Sequence, residues 1–154
     1  MVDLRSLFLD TSDIPWVVGL SGGKDSTAVT MHMLETLESL PPPIRRRKKC
    51  YVTCVNTLVE APPVIDHVHN FIEALRIYVR DRDLPVEVVE LSPEVDQTFW
   101  VNLIGRGYPT PVREFRWCTD RMKIRPQQRF IEENTEIFGE PPVVHFLLGT
   151  RYDE

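Results

Sequence analysis

The chain has 154 residues, of which 42% are hydrophobic and 27% are charged, and its formal net charge is −5. A chain of this length fits one domain and can bury a core without disulfides or a structural metal. No stretch approaches the ~20 apolar residues of a membrane span, and the segment from Met1 to Asp10 lacks a signal-peptide pattern. We therefore expect a cytoplasmic protein without a membrane partner, and the acidic net charge excludes general attraction to nucleic acid.

Apolar runs and helical periodicity alternate along the first half of the chain. The run Trp16–Leu20 predicts a buried strand that enters a tight turn. Apolar residues then recur with helical spacing from Val29 to Leu40, and Pro41–Pro43 ends that helix. The run Cys50–Val55 is rich in β-forming residues and predicts a second strand.

The second half continues this alternation. A helix is predicted to begin at Pro62, and Val86–Leu91 predicts a third strand. Ser92 is predicted to cap a further helix that runs toward Ile104, and the glycines and prolines that follow favour an irregular segment. The last two predicted elements are a helix over 124–138, ended by Gly139, and a strand over 143–148.

This order of elements predicts a three-layer α/β fold, a parallel sheet with helices on both faces, in a single domain of residues 1–154. Ligands of such folds bind outside the carboxyl ends of the strands. Polar clusters follow three of the predicted strands, at 21–26, 56–60 and 149–151. No helix follows the last strand, so we expect that a natural tail is missing or that a partner covers this strand.

The three cysteines are predicted to be reduced. Their odd number and the missing secretion signal argue against disulfides. Cys50 and Cys54 lie in one predicted strand, where ~3.3 Å per residue separates their Cα atoms by ~13 Å, too far for a bridge. We interpret both as small buried hydrophobic residues.

Two groups of basic residues could bind an anion. For the first group a solvated loop is the favoured interpretation. The groups are the run 45–49 and a set comprising Arg113, Arg116, Arg121, Lys123, Arg125 and Arg129.

The turn after the first strand has the properties of a phosphate loop. Gly22 and Gly23 let the backbone bend sharply and bring N–H groups close to a ligand. The helix that follows presents its positive end to anions. A glycine-rich turn without a ligand is the alternative interpretation.

The side chains of this turn also suit a nucleotide with its metal. Ser21 and Ser26 add hydroxyl donors, Lys24 adds a positive charge suited to phosphate, and Asp25 can hold Mg²⁺. A Walker A loop is excluded because Gly19 stands one residue too close to Gly23 and because Asp25, rather than Ser or Thr, follows the lysine.

The sequence Ser-Gly-Gly-Lys-Asp-Ser at 21–26 resembles the PP-loop of the ATP pyrophosphatases. The resemblance implies an adenine nucleotide alpha hydrolase-like, Rossmann-like fold. It also implies cleavage of ATP between the α- and β-phosphates, with an adenylylated intermediate and release of pyrophosphate. The loop would then hold the departing pyrophosphate, on which negative charge develops.

Blocks in the second half resemble one branch of this class, the PAPS-reductase-like sulfurtransferases of DNA phosphorothioation systems, of the DndC and SspD type. The blocks are 99–111, 115–124 and 149–151. The resemblance implies that ATP adenylylates a DNA backbone phosphate before sulfur is incorporated. DNA, a cysteine desulfurase and other phosphorothioation proteins would be the partners.

The resemblance also implies a [4Fe-4S] cluster. Cys118 stands in the matching block and would be the candidate ligand. One cysteine cannot hold a four-cysteine cluster, so the other ligands would lie outside this chain.

Further site residues are implied by the same resemblance. Asn56 and Thr57 would lie near the adenosine, although the family commonly has Asp-Thr at these positions. Gly149 and Arg151 would contribute to the nucleotide site, with Arg151 closing over the α-phosphate.

Basic residues flank Cys118 in the second block. The charges of Arg116, Arg121 and Lys123 would favour its thiolate and could neutralise ATP or a DNA phosphate. A free buried thiol is the alternative for Cys118. The predicted catalytic residues are Lys24, Asp25, Cys118 and Arg121.

Two other functions stay open at this point. One is PAPS or APS reduction, although that reaction typically uses a C-terminal cysteine and none follows Cys118. The other is a non-catalytic nucleotide-binding scaffold that docks a desulfurase or DNA.

Overall fold

The central sheet of the protein has four parallel strands. The computed structural model describes residues 3–10 and 12–150. The strand order is β3-β2-β1-β4, and every neighbouring pair is parallel. The strands are β1 (Trp16–Leu20), β2 (Cys50–Val55), β3 (Val86–Leu91) and β4 (His145–Leu147).

The path of the chain through this sheet creates a switch point between β1 and β4. The chain goes from β1 outward to β2 and β3, then returns to the other side of β1 as β4. The register pairs Trp16 with both Cys50 and His145, so the carboxyl ends of these three strands meet at one edge of the sheet. Crevices at such switch points are where open α/β sheets bind ligands.

Helices cover both faces of the sheet, as predicted. On one face, Val18 and Val52 pack with buried residues of α1, α2 and α4. On the other, Val17 and Tyr51 pack with residues of α6 and α7. The α-helices are α1 (Leu4–Leu9), α2 (Lys24–Ser39), α3 (Pro42–Arg45), α4 (Pro62–Asp81), α5 (Trp117–Thr119), α6 (Arg125–Glu133) and α7 (Thr135–Phe138).

The alternation of Val17 and Val18 between the two cores follows from the two-residue period of a strand. The helices α2 and α4 and all four strands agree with the sequence-based predictions, although β4 is shorter than predicted. The helices α1 and α3 were not predicted. None of the described helices combines the length and apolarity needed to cross a bilayer.

The predicted helix from Ser92 toward Ile104 is wrong as a continuous element. The structure has a 3-10 turn at Val95–Gln97 and a π-helical turn at Val101–Gly105. Between them Thr98 is extended, with ψ 157°, and its hydroxyl donates to the carbonyl of Val95 at 2.7 Å. Such local hydrogen bonds compete with helix formation, and here they divide the segment.

The predicted helix over 124–138 is also divided. A π-helical turn at Asp120–Ile124 precedes α6, and Asn134, with φ −103° and ψ 58°, separates α6 from α7. The side-chain amide of Asn134 donates to the carbonyl of Phe130 at 2.6 Å. That carbonyl is therefore bonded by a side chain at the point where the helix ends.

The basic run 45–49 is solvated only in part. Arg46, Arg47 and Lys49 are exposed. Lys48 is buried, and its ammonium donates to the carbonyls of Asp10 at 2.6 Å and Ser12 at 3.3 Å. One member of the run therefore fixes the segment that precedes β1.

The buried positions predicted for Cys50 and Cys54 are confirmed. Burial raises the pKa of the Cys50 thiol to about 12, against a smaller opposing effect of Lys48. Burial also raises the pKa of Cys54 to about 11, assisted by Glu90 and Glu60 and opposed by Lys123. Both thiols are therefore protonated at neutral pH and act as core residues.

Replacing Leu34 by alanine should destabilise the fold by about 2–5 kcal/mol, because the side chain is fully buried between α2 and the sheet. Urea denaturation measures this loss. Ile77→Ala is the matched control, since Ile77 is 49% exposed on α4 and should change stability by less than about 1 kcal/mol. Equal losses for the two variants would contradict the assignment of the core.

Iodoacetamide at pH 8 should alkylate the native protein at Cys118 alone, because that side chain is partly exposed whereas the other two thiols are buried. Intact mass spectrometry counts the adducts. A Cys118→Ser variant should take up no label until it is unfolded. Rapid labelling of that variant in its native state would show that Cys50 or Cys54 is accessible.

Candidate functional site

The predicted phosphate loop joins the end of β1 to the start of α2. Gly22 has φ +75°, a conformation that residues with a Cβ rarely adopt. A Cβ on Gly22 would also lie 2.5 Å from Cγ2 of Val68 on α4. Both backbone conformation and space therefore require glycine at this position.

The hydroxyl of Ser26 holds the loop in shape. It donates to the carbonyl of Gly23 at 3.0 Å and accepts the backbone N–H of Ser21 at 3.1 Å. The hydroxyl of Ser21 lies 3.0 Å away and donates to it, because the Ser26 proton is already used. These bonds form within the loop, so its shape is set without a ligand.

The N-terminus of α2 is open to an anion. Gly23 is the N-cap residue, and no side chain caps this end of the helix. The N–H groups of the first helical turn have no partners within the helix and carry the positive end of its dipole. Lys24 is exposed in this turn, and Asp25 stands beside it.

The segment after β4 packs directly against this turn. A Cβ on Gly149 would lie 2.6 Å from the carbonyl oxygen of Asp25 and 2.9 Å from the nitrogen of Ser26. Because these are backbone atoms, they cannot move aside as a flexible side chain could. The contact ties the end of β4 to the start of α2, and only glycine permits it.

A cavity of about 540 Å³ opens at the switch point between β1 and β4, beside the loop. Its polar lining comes from the loop, from the segment after β2 and from the helical stretch that contains α6. The remaining lining is apolar. The lining residues are Gly19, Leu20, Ser21, Ser26, Val55, Glu60, Lys123, Ile124, Gln127, Gln128, Ile131, Phe146, Leu148 and Gly149.

A second cavity, of about 160 Å³, lies on the side of the loop that faces α4. It shares Ser21, Val55 and Glu60 with the larger cavity, so the two spaces meet at the loop. Its other lining residues are Cys54, Asn56, Val64, Ile65, Asp66, Val68, His69, Ile72 and Glu90.

Asn56 and Thr57 occupy different environments. The side-chain oxygen of Asn56 accepts the N–H of Leu58 at 3.0 Å, and Asn56 lines the smaller cavity. Leu58 has φ +64°, which is unusual for a residue with a branched side chain. Thr57 is buried, lines neither cavity, and its hydroxyl has no hydrogen-bond partner among the described residues.

The basic residues around Cys118 do not converge on one place. Lys123 lines the larger cavity, whereas Arg121 lines a separate pocket of about 440 Å³. The Arg121 guanidinium donates to the side-chain oxygen of Gln97 and, at 2.7 Å, to the hydroxyl of Tyr108. The guanidinium of Arg121 is therefore held beside Gln97 and Tyr108, in a pocket separate from the one that Lys123 lines.

Two further predicted residues lie outside these three cavities. Cys118 is partly exposed on α5, and Arg116 precedes that helix and donates from Nε to the carbonyl of Arg113 at 3.1 Å. Arg151 lies outside the described residues. The structure thus brings together the loop, Lys123 and Gly149, and places Asn56 beside them.

The described residues suit one of the two implied metal groups, Mg²⁺, but not the other, a [4Fe-4S] cluster. Within 3–10 and 12–150, no three His, Cys, Asp or Glu side chains converge on a metal position. The cysteines do not fit a [4Fe-4S] cluster, because Cys50 and Cys54 are buried in β2 and Cys118 lies on α5. Asp25 does fit Mg²⁺, since this ion is commonly held by one or two carboxylates and the phosphates of its nucleotide.

Several lining residues were not predicted to be site residues. Glu60 belongs to the predicted polar cluster 56–60, but the sequence did not identify it as a site residue. In the structure it lines both cavities. Gln127 and Gln128 lie on α6 and were not identified either. The spacing of apolar residues along α6 does not reveal that the start of this helix faces the carboxyl edge of the sheet. Gln127 and Gln128 therefore could not be identified from the local sequence.

The fold and the loop define an α/β protein of the class that carries its ligand site at the carboxyl edge of a parallel sheet. No family model matches the chain. An uncharacterized protein of Methanocaldococcus jannaschii is 29% identical over 122 residues, which are 79% of this chain. The chain spans only 21% of the length of that relative.

One solved structure was also found to be similar, the U34-tRNA thiolase NcsA from Methanococcus maripaludis with its [4Fe-4S] cluster. The sequence identity is 18%, and the similarity covers 94% of this chain and 42% of the thiolase. The TM-score of 0.46 is too low to transfer an activity.

Replacing Gly149 by alanine should displace the start of α2, because the added carbon meets the backbone of Asp25 and Ser26. We expect a loss of about 1–3 kcal/mol of unfolding free energy, the typical cost of overpacking, measured in urea. Gly105→Ala is the control, since a Cβ there has no neighbour closer than 3.9 Å. If Gly149→Ala is as stable as the control, the close contact is not present in solution.

Proposed function

We propose that this chain is an ATP pyrophosphatase domain that binds the phosphates of ATP on the loop 21–26 and transfers AMP to an acceptor in a sulfur-transfer pathway. One observation carries the proposal. The uncapped N-terminus of α2 lies in a loop preset by Ser26, at the end of a buried central strand, with a cavity on each side. Anions bind at such helix ends through backbone N–H groups and the helix dipole.

The chemistry of the loop favours pyrophosphate as the leaving group. When the bond between the α- and β-phosphates breaks, negative charge develops on the β-phosphate. The first-turn N–H groups of α2 and the ammonium of Lys24 would stabilise that charge. Asp25 would hold the Mg²⁺ that accompanies the nucleotide, and this ion supplies further neutralisation of the leaving group.

We further infer that the acceptor is a backbone phosphate of DNA, whose oxygen attacks the α-phosphorus and displaces pyrophosphate. AMP would then be displaced by a persulfide supplied by a cysteine desulfurase, and a thiol reductant would cleave the remaining S–S bond to leave the phosphorothioate. Other phosphorothioation proteins would be further partners. The support is the resemblance of blocks 99–111 and 115–124. The exposed side chains of Trp100, Phe115 and Arg116 in these blocks suit a polyanion with stackable bases.

No step of the proposed reaction uses a [4Fe-4S] cluster. The described cysteines do not converge, so its ligands would have to come from outside the described residues. Cys118 is kept as the proposed sulfur-handling residue because it is the one cysteine that is not buried in the core.

Incubation of the protein with ATP, Mg²⁺ and DNA should release pyrophosphate, measured by enzyme-coupled detection, and transfer AMP to the DNA; addition of a sulfur donor should then release AMP, measured by chromatography. Lys24→Ala should reduce the rate by about 10²-fold, the usual effect of removing one group that stabilises developing charge. Lys49→Ala is the matched control, since Lys49 is exposed and lies outside the loop, and its rate should equal that of the wild type.

The products distinguish the alternatives. ADP with orthophosphate would show that the loop is not a pyrophosphatase loop. Binding of ATP without turnover, even with DNA and a desulfurase present, would favour the non-catalytic scaffold. Sulfite formed from PAPS or APS with a thiol reductant would favour the reductase.

A further inference from the structure

We propose that Arg121 and Tyr108 are positioning residues for the reaction. They hold the π-helical turn Asp120–Ile124 in the place that puts Lys123 in the wall of the larger cavity. This inference rests on the proposed function, and it adds two residues that act on the nucleotide through a third. Neither Arg121 nor Tyr108 belongs to the described linings of the two cavities beside the loop.

The π-helical turn Asp120–Ile124 lies between α5 and α6. Such turns are rare and occur mostly as single turns within helices, so we expect contacts from other segments to stabilise this one. Within the turn Met122 is buried, whereas Arg121 and Lys123 line different pockets. A movement of the turn would therefore displace both of these charged side chains together.

Arg121 joins this turn to the segment 95–110. Its guanidinium donates to the side-chain oxygen of Gln97 and, at 2.7 Å, to the hydroxyl of Tyr108. The central carbon of the guanidinium also lies 5.0 Å from the centre of the Tyr108 ring, within the range of a cation–π contact. Arginine makes both hydrogen bonds from one planar group, a geometry that the single ammonium of a lysine does not reproduce.

The segment 95–110 is held in shape by Asn102, whose side chain is fully buried. Its amide N–H groups donate to the carbonyls of Asp96 at 3.1 Å and Thr98 at 2.8 Å. The backbone carbonyl of Asn102 accepts the N–H of Tyr108 at 3.0 Å. Buried polar groups that have their partners make a segment rigid, so the Tyr108 hydroxyl is presented at a fixed place.

Tyr108 is also held by its ring. It packs edge-on against the buried Trp117 of α5, with ring centres 5.5 Å apart. The indole N–H of Trp117 donates to the carbonyl of Pro109 at 3.0 Å, and Phe99 stacks on the same indole at 5.4 Å. Replacing Tyr108 by phenylalanine would therefore keep the packing and remove only the bond between its hydroxyl and Arg121.

Lys123 is the one cation among the described residues that line the larger cavity. Ser21 and Ser26 of the loop line the same cavity, so the ammonium is expected to attract the phosphates of a nucleotide held there. The side chain of Lys123 is exposed and has a flexible four-carbon stem. Its backbone position therefore decides which places the ammonium can reach, and that position is what the contacts of Arg121 fix.

A double-mutant cycle tests whether the contact acts through Lys123. The probe is α,β-methylene ATP with Mg²⁺, which cannot be cleaved at the reacting bond, and calorimetry measures its binding. Tyr108→Phe and Arg121→Lys should each weaken binding by about threefold or more, and Lys123→Gln by about tenfold. Adding Tyr108→Phe to Lys123→Gln should cause no further loss. A further loss as large as in the single variant would show a merely structural role and overturn the proposal.

Tyr78 and Arg82, at the end of α4, provide matched controls. The Arg82 guanidinium lies 3.8 Å from the centre of the Tyr78 ring, and the Tyr78 hydroxyl donates to Glu38 at 3.0 Å. Both residues lie outside the described cavities. Tyr78→Phe and Arg82→Lys should bind the probe as the wild type does. Losses equal to that of Tyr108→Phe would overturn the assignment to the π-helical turn.

A second measurement needs no nucleotide. Selective ¹⁵N labelling of lysine gives backbone amide signals by NMR, and the signal of Lys123 is identified by its loss in Lys123→Arg. Tyr108→Phe should shift this signal, whereas Tyr78→Phe should not. If the wild type does not bind α,β-methylene ATP, the proposed function fails, and the shift still decides whether Tyr108 positions Lys123. If the wild type binds the probe but the Lys123 signal is unchanged in Tyr108→Phe, only the positioning role is overturned.

Discussion

The backbone contact between Gly149 and the first turn of α2 is the constraint on which the site depends. It joins the last strand to the loop that follows the first, although these segments are far apart in sequence. The loop has its own internal bonds through Ser26, and its position relative to β4 follows from the pairing of β1 with β4 together with this contact. Gly149, Ser21 and Ser26 all line the larger cavity, so this contact lies in its wall.

The local charges of the site matter more than the net charge of −5. An acidic protein can bind a polyanion where a cation stands in a partly enclosed, apolar cavity, because water screens charges less effectively there. Lys123 lines such a cavity, with its own side chain exposed, whereas Asp66 lies on α4 and lines the smaller cavity. Glu60 lines both cavities, so a carboxylate also lies in the wall of the cavity that Lys123 lines.

Much of the fold could be predicted from the sequence because its signals are local. Buried parallel strands give apolar runs, and α2 and α4 give helical periods bounded by prolines. The errors have local causes too, since Thr98 and Asn134 bond backbone carbonyls through their side chains and divide helices that periodicity alone predicts as continuous. The loop could be recognised from residue types, whereas the roles of Glu60 and Gln127 could not, because they depend on packing between distant segments.

The basic residues of 116–125 show why proximity in sequence misleads about a site. Arg121 and Lys123 lie in the π-helical turn Asp120–Ile124, where residues two apart are about half a turn from each other. Arg121 accordingly reaches Gln97 and Tyr108, while Lys123 faces the larger cavity. Residues four apart on a helix can share a pocket, as Arg121, Arg125 and Arg129 do, whereas Lys123 lines a different one. The residues that can act together come instead from β1, β2, β4 and α6, where separate elements end at the same edge of the sheet.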